Sequence, residues 1–375
     1  MKIVHIITGL STGGAEMMLY KLLSRMNSDE FDSEVISLTD AGPVADKIRM
    51  LGVPVHALGM KRGKPHPVAL IKLSMLLRQK KPDLVQTWLY HSDLIGGLAA
   101  KLAGNKKIFW SIRQSNIDVD SNKRSTIWIA KACAKLSSWL PDKIICCSHA
   151  ALESHVALGY AKEKILVIPN GFDLDAFQPD QDARKSVRKE LGLDEKTYLV
   201  GLVARFDPQK DHRNFIQAAG LIRKNESSVH FMLVGDGINS ENIQLIQWIK
   251  QAGLEECFHL LGIRNDVSHL VAAMDVSVSS SLGEGFPNVV GEAMACAVPC
   301  VVTDVGDSAL IVGDAGRVVA AKDSVALAAA INDLLQASPE FREELGKKAR
   351  LRVKNNYSLE SVAKKYEAVF RGVTG

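Results

Sequence analysis

The sequence predicts an α/β protein built from two doubly wound parallel sheets that face each other across a cleft. Three observations support this fold class. Short β-branched runs alternate with longer amphipathic stretches, which is the pattern of parallel strands joined by helices. The alternation stops at a charged stretch near the middle of the chain and then resumes. The length of 375 residues suits two domains better than one large core.

A first series of strands occupies the N-terminal half. The runs share β-branched residues, and most are followed by a helical segment: Lys2–Thr8, Glu34–Leu38, Val53–Ala57, Leu84–Thr87, Lys107–Ile112, Lys143–Cys147 and Ile165–Ile168. The turn Pro169-Asn170-Gly171 ends the last of them. Because the stretch from Gln178 to Lys196 is charged and poor in β-formers, we place the linker there. The N-terminal domain is therefore predicted to span residues 1–178.

A second series of strands follows with the same architecture. Its runs are Tyr198–Ala204, Val229–Val234, Phe258–Leu261, Asp275–Ser279, Pro299–Val302 and Arg317–Val319. The two series show no repeat in sequence, so we predict two similar domains rather than a solenoid. The C-terminal domain is predicted to span residues 179–357. Residues 358–375 are predicted to form a helix with one apolar face that crosses back to the N-terminal domain.

Composition indicates a cytoplasmic enzyme or binding protein. No apolar run approaches the roughly 18 to 20 residues that span a bilayer, and the N-terminal residues predict a buried strand rather than a cleavable signal. The six cysteines form no CxxC pair and occur in apolar surroundings, as expected in a reducing compartment. No GxxxxGK[ST] loop is present, which excludes the P-loop class.

Charge is distributed unevenly along the chain. Residues 1–178 carry 23 Lys/Arg against 16 Asp/Glu, whereas the remainder carries 23 against 26. Basic clusters such as Lys61-Arg62-Gly63-Lys64 and Lys123-Arg124 fall in the first half. They suit an acidic acceptor or the inner face of an anionic membrane, on which the protein would be peripheral. Ordinary solvated lysines are the alternative.

The segment from Glu284 to Glu292 is the most informative in the chain. Two carboxylates flank a Gly285-Phe286-Pro287 turn that opens a helix. The N-terminal end of a helix presents backbone N–H groups and partial positive charge, which favour a phosphate. The carboxylates beside it are suited to accept hydroxyl hydrogens from a sugar and a ribose. A surface loop with solubilising glutamates is the alternative.

Three further loops leave predicted strands at the edge where ligands bind in such sheets. Arg205 and Lys210 lie on one of them and suit a diphosphate; surface pairing with Asp207 and Asp211 is the alternative. Gly13-Gly14 follows the first strand and permits close approach of the backbone to an anion. Gly-rich strand ends at 235–237 and at 262 leave room for a flat base, and Asp266 is predicted to cap the next helix.

These motifs together resemble glycosyltransferase family 4, the retaining sugar-nucleotide transferases of GT-B fold, which has two Rossmann-like domains. The resemblance covers almost the whole chain. It implies an N-terminal acceptor-binding domain and a C-terminal nucleotide-sugar-binding domain. It also implies roles for residues that match the family's motifs: Arg205 and Lys210 on the diphosphate, Glu284 on the donor sugar, Glu292 on the ribose, Gly285, Phe286, Asn288 and Val289 around the phosphate, Gly13 and Gly14 approaching it from the other domain, and Ile263 beside the base.

The chain departs from the family at several positions. Arg113 stands where many members carry a histidine, and since arginine cannot act as a base we expect it to add positive charge on the donor side, if it binds there. Ala297 replaces a usual glycine, a change we expect the packing to tolerate. The loop Asp304-Val305-Gly306-Asp307 lacks a second glycine and a later glutamate. His91 either lines the acceptor side or serves in capping or packing.

No metal and no other cofactor is expected. Asp118-Val119-Asp120 and Asp173-Leu174-Asp175 match the DxD pattern, but two carboxylates alone rarely hold Mg²⁺, and the cations at 205 and 210 already supply charge. The sequence therefore predicts transfer of a sugar, with retention, from a nucleoside-diphosphate donor such as a UDP-sugar. The expected acceptor is a lipid-linked saccharide of envelope, capsule or lipopolysaccharide synthesis. A sugar-nucleotide 2-epimerase and a non-catalytic sugar-nucleotide-binding subunit are the alternatives.

Overall fold

A computed structural model describes residues 1–60, 67–114, 124–224 and 226–372 of the chain. Contacts divide these residues into two compact units. Unit 1 comprises Met1–Gly171 and the C-terminal segment from Leu359, and unit 2 comprises Phe172–Ser358. The first passage between units therefore lies at Gly171 rather than at the predicted boundary after residue 178.

Unit 1 is built on a parallel sheet. Its strands within the described residues are β1 (Lys2–Ile7), β2 (Asp32–Ser37), β3 (Val55–Ala57), β4 (Leu84–Trp88), β5 (Ile108–Ile112), β6 (Lys143–Cys146) and β7 (Ile165–Val167). They lie in the order β3-β2-β1-β4-β5-β6-β7, and every pairing is parallel. Each predicted strand of the first half is present, with ends that differ by one to two residues.

Helices cover both faces of this sheet. They are α1 (Gly14–Leu23), α2 (Gly42–Met50), α3 (Pro67–Lys80), α4 (Tyr90–Ala103), α5 (Arg124–Leu136), α6 (His149–Ala157) and the C-terminal helix, numbered α15 (Leu359–Arg371). Successive β1 side chains alternate between two cores, since Val4 and Ile6 pack with α3, α4 and α5 whereas Ile3 and Ile7 pack with α1, α2 and α15. The apolar stripe of the C-terminal helix is thus buried within unit 1.

Unit 2 repeats the architecture with a second parallel sheet. Its strands are β8 (Tyr198–Val203), β9 (Val229–Val234), β10 (Phe258–Leu260), β11 (Val276–Ser279), β12 (Cys300–Thr303) and β13 (Gly316–Val319). Their order is β10-β9-β8-β11-β12-β13. The helices are α7 (Gln181–Glu190), α8 (His212–Arg223), α9 (Ile243–Gln251), α10 (Val267–Ala272), α11 (Asn288–Ala295), α12 (Ser308–Val312), α13 (Ser324–Gln336) and α14 (Pro339–Tyr357).

The predicted linker is wrong, because the charged stretch after residue 178 forms helix α7 of unit 2. Asp180 caps this helix by accepting hydrogen bonds from the amides of Asp182 and Ala183. Its arginines are not linker charges, since Arg184 and Arg188 lie 2.6 and 3.3 Å from the carboxylate of Asp275 at the start of β11. The charged residues of α7 therefore either face solvent or form ion pairs within unit 2.

The two segments that join the units run side by side. The amide of Phe172 donates to the carbonyl of Tyr357 at 2.8 Å, and Phe172 forms an isolated parallel bridge with Ser358. Gly171 has no room for a side chain, because a Cβ there would lie 3.0 Å from the Cα of Leu359. The glycine of the predicted turn is therefore required by close packing of the two segments.

Two further predictions concern the cysteines and membrane-spanning segments. All six cysteines are buried and free of disulfides, as predicted, and burial raises the pKa of the Cys300 thiol to about 12. In the described part of the chain, no helix combines the length and the apolar character needed to cross a bilayer.

Candidate active site

The carboxyl edge of the unit 2 sheet carries a concave pocket. Strands β8 and β11 are neighbours where the strand order changes direction, the position at which open α/β sheets bind ligands. The pocket is lined by the ends of these two strands and the residues that follow them: Leu202, Val203, Ala204, Lys210, Val278, Ser279, Ser280, Ser281, Glu284 and Val289. The predicted Arg/Lys loop and the predicted carboxylate segment thus meet in one place.

An ion pair between Lys210 and Glu284 lies at the centre of this pocket. The Nζ atom of Lys210 is 2.5 Å from Oε1 of Glu284, and their side chains are only 22% and 10% exposed. The hydroxyl of Ser281 donates to the same carboxylate oxygen at 2.6 Å. Among the described residues no group binds the other oxygen, Oε2. The pair therefore offers one cation and one open carboxylate oxygen to a ligand.

The backbone holds Lys210 rigidly. Residues Pro208–Lys210 form a short 3-10 turn, in which the carboxylate of Asp207 accepts a 2.9 Å hydrogen bond from the amide of Gln209. The hydroxyl of Ser280 donates to the carbonyl of Lys210 at 2.9 Å. Because both ends of the turn are fixed, the lysine is oriented before any ligand arrives.

Arg205 is placed differently from Lys210. Its side chain is 64% exposed and contacts the carboxylate of Asp207 at 3.0 Å. Burial favours a raised pKa for Asp207, but the Gln209 amide and the Arg205 guanidinium outweigh it, so the pKa is below its usual value. The surface-pairing alternative thus describes Arg205 in this structure but not Lys210, since Asp211 caps α8 through the amide of Asn214.

The N-terminal end of α11 borders the same pocket. Asn288 and Val289 are the first residues of the helix, and Pro287 occupies the capping position without a side-chain cap. The amides of this first turn point out of the helix toward the pocket side. Glu292 lies one turn further along and is half-buried. The predicted phosphate-binding amides and both carboxylates therefore share one helix and its leading turn.

Phe286 is held by an aromatic stack that the sequence did not predict. Its ring lies 5.8 Å from that of Phe172 at an angle of 18°, and 5.8 Å from that of Tyr357. The ring of Phe172 also presses on α11, because a Cβ at Gly291 would lie 2.1 Å from it. Phe286 thus anchors the turn through its side chain. The glycine inside α11 was the signal for this contact.

A second support that the sequence analysis missed comes from the loop after β12. The amide of Asp307 donates to the carbonyl of Gly285 at 3.0 Å. Gly306 adopts a positive φ of 55°, and a Cβ there would lie 2.2 Å from the carbonyl oxygen of Glu284. Only glycine fits this position. The single glycine of the loop therefore fixes the backbone of Glu284.

The predicted base-binding loop lies after β10. Ile263 is 73% exposed. The neighbouring Arg264 bridges Glu190 and Asp266, each at 2.7 Å, and these contacts hold the loop against α7. Asp266 precedes α10 but makes no side-chain cap, so its predicted capping role is wrong. The arginine contact lowers the pKa of Asp266, which keeps the carboxylate charged.

Four predicted site residues belong to unit 1, and three of them are Gly13, Gly14 and His91. Gly13 precedes α1 and Gly14 begins it, and a Cβ at Gly14 would meet no atom within 4 Å, so the turn borders open space. His91 lies in the first turn of α4, after the end of β4, and is half-buried. These three residues follow the ends of β1 and β4 and therefore lie at the carboxyl edge of the unit 1 sheet.

Arg113 is enclosed within unit 1. Its guanidinium lies 4.6 Å from the centre of the Trp88 ring and also contacts the ring and hydroxyl of Tyr366 on α15. It donates to the side-chain oxygen of Asn170 at 3.1 Å. These contacts connect the end of β5 to both segments that join the units. The family's histidine position therefore holds a packed cation in this chain.

Of the two DxD matches, only Asp173-Leu174-Asp175 lies in the described part of the chain. Asp118 and Asp120 lie outside the described residues. The carboxylate of Asp173 accepts hydrogen bonds from the amides of Asp175 and Ala176 at 3.1 and 3.2 Å, which stabilise a turn. Elsewhere in the described ranges, no three His, Cys, Asp or Glu side chains are grouped as metal ligands would be.

Comparison with known proteins agrees with this geometry. The family model "Glycosyltransferase Family 4" matches residues 12–176, and the model "Glycosyl transferases group 1" matches residues 197–337. A UDP-Gal:α-D-GlcNAc-diphosphoundecaprenol α-1,3-galactosyltransferase of Escherichia coli is 29% identical over 324 residues, 83% of this chain and 81% of the relative. An N,N'-diacetylbacillosaminyl-diphospho-undecaprenol α-1,3-N-acetylgalactosaminyltransferase of Campylobacter jejuni is 25% identical over 306 residues, 79% of each protein.

Solved structures share the whole architecture. HepE of Anabaena, solved in complex with UDP, superimposes with a TM-score of 0.86 at 21% identity and covers 99% of this chain and 100% of that one. WaaG, a glycosyltransferase involved in lipopolysaccharide biosynthesis, superimposes with a TM-score of 0.71 at 16% identity and covers 98% and 99%. The chain therefore has the GT-B fold.

The chain belongs to glycosyltransferase family 4. It is an enzyme, a glycosyltransferase. This membership favours transfer over the epimerase and binding-subunit alternatives.

Proposed function

We propose that the protein transfers a sugar from a UDP-sugar to a lipid-linked saccharide, with retention at the anomeric carbon and without a metal ion. The observation that carries this proposal is the Lys210–Glu284 ion pair, which lines the same pocket as Val289 in the first turn of α11. A diphosphate at the helix end would lie against Lys210, and the sugar attached to it would lie against the open oxygen of Glu284. One pocket then binds both halves of the donor.

The charges of the pocket suit this donor. The side-chain amine of Lys210, which is paired with the Glu284 carboxylate, can turn toward a phosphate as negative charge develops there, while Glu284 accepts hydrogen bonds from sugar hydroxyls. Arg205 is exposed and needs only to exchange Asp207 for the diphosphate, a small cost because surface ion pairs are weak, about 0.2–1 kcal/mol. Glu292, one turn into α11, is assigned to the ribose. The amides of Asn288 and Val289 complete the phosphate site.

The uridine base and the acceptor are proposed from relatives. HepE was solved with UDP, and the Escherichia coli relative is named for UDP-Gal. That relative and the Campylobacter jejuni one are both named for acceptors joined through a diphosphate to undecaprenol. These names support a UDP-sugar and a diphospho-polyprenol-linked saccharide as substrates, used at the cytoplasmic face of the membrane.

The proposed chemistry needs no covalent enzyme intermediate. The bond between the anomeric carbon and the β-phosphate oxygen breaks, and the acceptor hydroxyl oxygen bonds to that carbon on the same face. The acceptor proton passes to the departing phosphate. Lys210, Arg205 and the α11 amides stabilise the charge on the leaving group. No carboxylate in the pocket is assigned as nucleophile.

Ligand-dependent melting tests the donor. UDP binding to the native state should raise the melting temperature, whereas GDP and ADP at equal concentration should raise it less. Stabilisation by GDP or ADP in place of UDP would contradict the proposed base. Incubating UDP-sugars with and without a diphospho-polyprenol-linked saccharide, in EDTA, should give a glycosylated lipid only when the acceptor is present.

The anomeric configuration of that product, measured by NMR, tests retention. An inverted linkage would refute the same-face mechanism. Loss of transfer in EDTA that magnesium restores would refute metal independence. Conversion of the donor into an epimer without acceptor, detected by chromatography, would favour an epimerase instead.

A further inference from the structure

The outer face of helices α3, α4 and α5 exposes an unusual number of large apolar side chains. They are Val68, Ile71 and Met75 on α3, Leu102 on α4, Trp128 on α5 and Trp139 just after it. Trp128 is 73% exposed and Trp139 is 50% exposed. The chain's other three tryptophans are buried or half-buried, so both exposed ones lie on this side of unit 1. We call this surface the α3–α5 face.

The helices present these side chains as ordered stripes. On α5 the exposed positions Arg124, Trp128, Lys131 and Lys135 follow the spacing i, i+4, i+7, i+11 and line one side. On α3 the exposed Val68, Ile71, Lys72 and Met75 form a matching stripe. Between them, the half-buried outer residues of α4 are apolar too. The three helices pack on the same side of the sheet, so the stripes belong to one surface.

Within the described residues, the three helices of the α3–α5 face expose cations but no Asp or Glu. Helices α3 and α5 contain no Asp or Glu, and the single acidic residue of α4, Asp93, is completely buried. Exposed on or beside the face are Lys72, Arg78, Lys101, Arg124, Lys131 and Lys135. A surface that alternates apolar side chains, tryptophan among them, with cations matches the boundary between anionic headgroups and acyl chains.

We propose that the α3–α5 face docks unit 1 on an anionic lipid bilayer, with Trp128, Ile71 and Met75 inserted and the lysines on headgroup phosphates. Charge selects the bilayer over a second copy of this chain, because a symmetric dimer would place identical cations against each other. It also gives the interaction a salt dependence that an apolar protein interface would lack.

The position of the face connects docking to the reaction. The last turn of α3 lies beside the end of α4, where Arg78 donates to the carbonyl of Leu102 at 2.7 Å, so the helices run in parallel. Helices α3, α4 and α5 each lie in the chain between two parallel strands of one sheet, so each begins toward the carboxyl edge of that sheet. Ile71 and Trp128, near the starts of α3 and α5, therefore lie toward the edge that carries His91. This inference rests on the proposed lipid-linked acceptor, since a docked bilayer would deliver such an acceptor to that edge.

Vesicle sedimentation with the full chain tests the proposal. Wild-type protein should sediment with phosphatidylcholine vesicles containing phosphatidylglycerol at low salt, and much less at high salt or with phosphatidylcholine alone. Trp128→Ser, and separately the pair Ile71→Ser with Met75→Ser, should lower the partition coefficient tenfold or more. Lys131→Glu with Lys135→Glu should do the same, because each cation near an anionic surface contributes about fivefold.

Matched controls lie on unit 2. Ile243→Ser removes an isoleucine that is 72% exposed on α9, and Lys250→Glu reverses an exposed lysine at the end of the same helix; both should bind vesicles like wild type. Melting temperatures check that every variant is folded. Absence of wild-type binding, or equal binding by the docking variants and the controls, would overturn the proposal. So would light scattering that shows a dimer lost in Trp128→Ser.

The outcome is separable from that of the proposed function. UDP-dependent stabilisation, and transfer to a water-soluble acceptor with a short lipid chain, should be unchanged in the docking variants. If UDP fails to stabilise the protein while vesicle binding follows the predicted pattern, the function fails and the docking surface stands. If transfer to the soluble acceptor proceeds but no vesicle binding occurs, the docking surface alone fails.

Discussion

The loops after β5 and β8 each place an arginine just beyond a strand end, and the two arginines differ in their surroundings. Arg113, after β5, is packed between Trp88 and Tyr366 and bonded to Asn170. Arg205, after β8, is 64% exposed and held by one carboxylate. An enclosed guanidinium with several partners serves the fold, whereas a loosely held one can exchange its partner for a ligand. The same residue type just beyond two strand ends therefore has different surroundings, and we expect different functions.

The largest effect is expected at Lys210, beside Arg205 in the β8 loop. Lys210→Ala should lower turnover by about 10²-fold or more, because a charge that stabilises the leaving group is lost. Steady-state kinetics with a UDP-sugar would measure it. Lys224→Ala, a control at the exposed end of α8, should retain full turnover. A Lys210→Ala enzyme with near-normal turnover would remove the basis for assigning catalysis to this loop.

Exchanging the two arginines for alanine sharpens the comparison. Arg205→Ala should lower turnover about tenfold with an unchanged melting temperature, since the net value of an exposed ion pair is small. Arg113→Ala should lower the free energy of unfolding by about 2–3 kcal/mol through lost hydrogen bonds and ring contacts. Thermal melting and kinetics on both variants separate the two roles. A stable Arg113→Ala protein without activity would reverse our assignment.

Acid should destabilise both units through buried histidines. Burial lowers the pKa of His155 in unit 1 and of His212, at the start of α8 in unit 2, each to about 4. Their unfolded values are near 6.5, so between pH 6.5 and 4 the unfolded chain binds more protons. Stability should be complete above pH 6.5 and fall by a few kcal/mol as the pH drops to 4.

Denaturant unfolding across this pH range would measure the loss. Replacing His212 with Gln, which cannot gain a proton, should flatten the slope that unit 2 contributes. A stability that stays constant from pH 7 to pH 4 would contradict the buried, uncharged state of both histidines.

The smallest effect concerns Ala297, at the end of the helix that carries Glu292. Ala297 has a positive φ of 56°, and the next amide, that of Val298, bonds to the carbonyl of Ala293 in the manner of a glycine-ended helix. A left-handed alanine costs about 1–2 kcal/mol. Ala297→Gly should therefore stabilise the protein by up to about 1 kcal/mol, measured by denaturant unfolding. Destabilisation would show that the methyl group contributes more by packing than it costs in strain.

Much of the fold followed from local patterns. The strands were predictable because β-branched runs between amphipathic stretches are a local signal, and all those predicted are present in the described part of the chain. The linker was misplaced because the pairing of α7 arginines with Asp275 spans 91 residues and leaves no local trace. Ala297 was interpreted as packing because a backbone angle cannot be inferred from a substitution alone.

The site was predictable in its members but not in its pairings. The Arg/Lys loop and the carboxylate segment were both identified, yet the contact of Lys210 with Glu284 joins residues 74 apart in sequence. The same holds for the supports of the site, since Phe172 and Gly306 act on the pocket through packing and backbone geometry. The outward stripe of α5 was open to prediction from its spacing, because Arg124, Trp128, Lys131 and Lys135 recur at helical intervals.

Unit 2 is inserted into the chain of unit 1, and its first and last residues, Phe172 and Ser358, lie side by side. Because Phe172 and Ser358 pair directly, a gene fragment encoding residues 172–358 would start and stop at neighbouring points of the surface, and the flanking pieces of unit 1 could be rejoined by a short peptide. Each unit has hydrophobic cores of its own, so we expect each to fold as a separate polypeptide. Calorimetry of UDP with the excised fragment would then report the donor affinity in the absence of any acceptor-side residue.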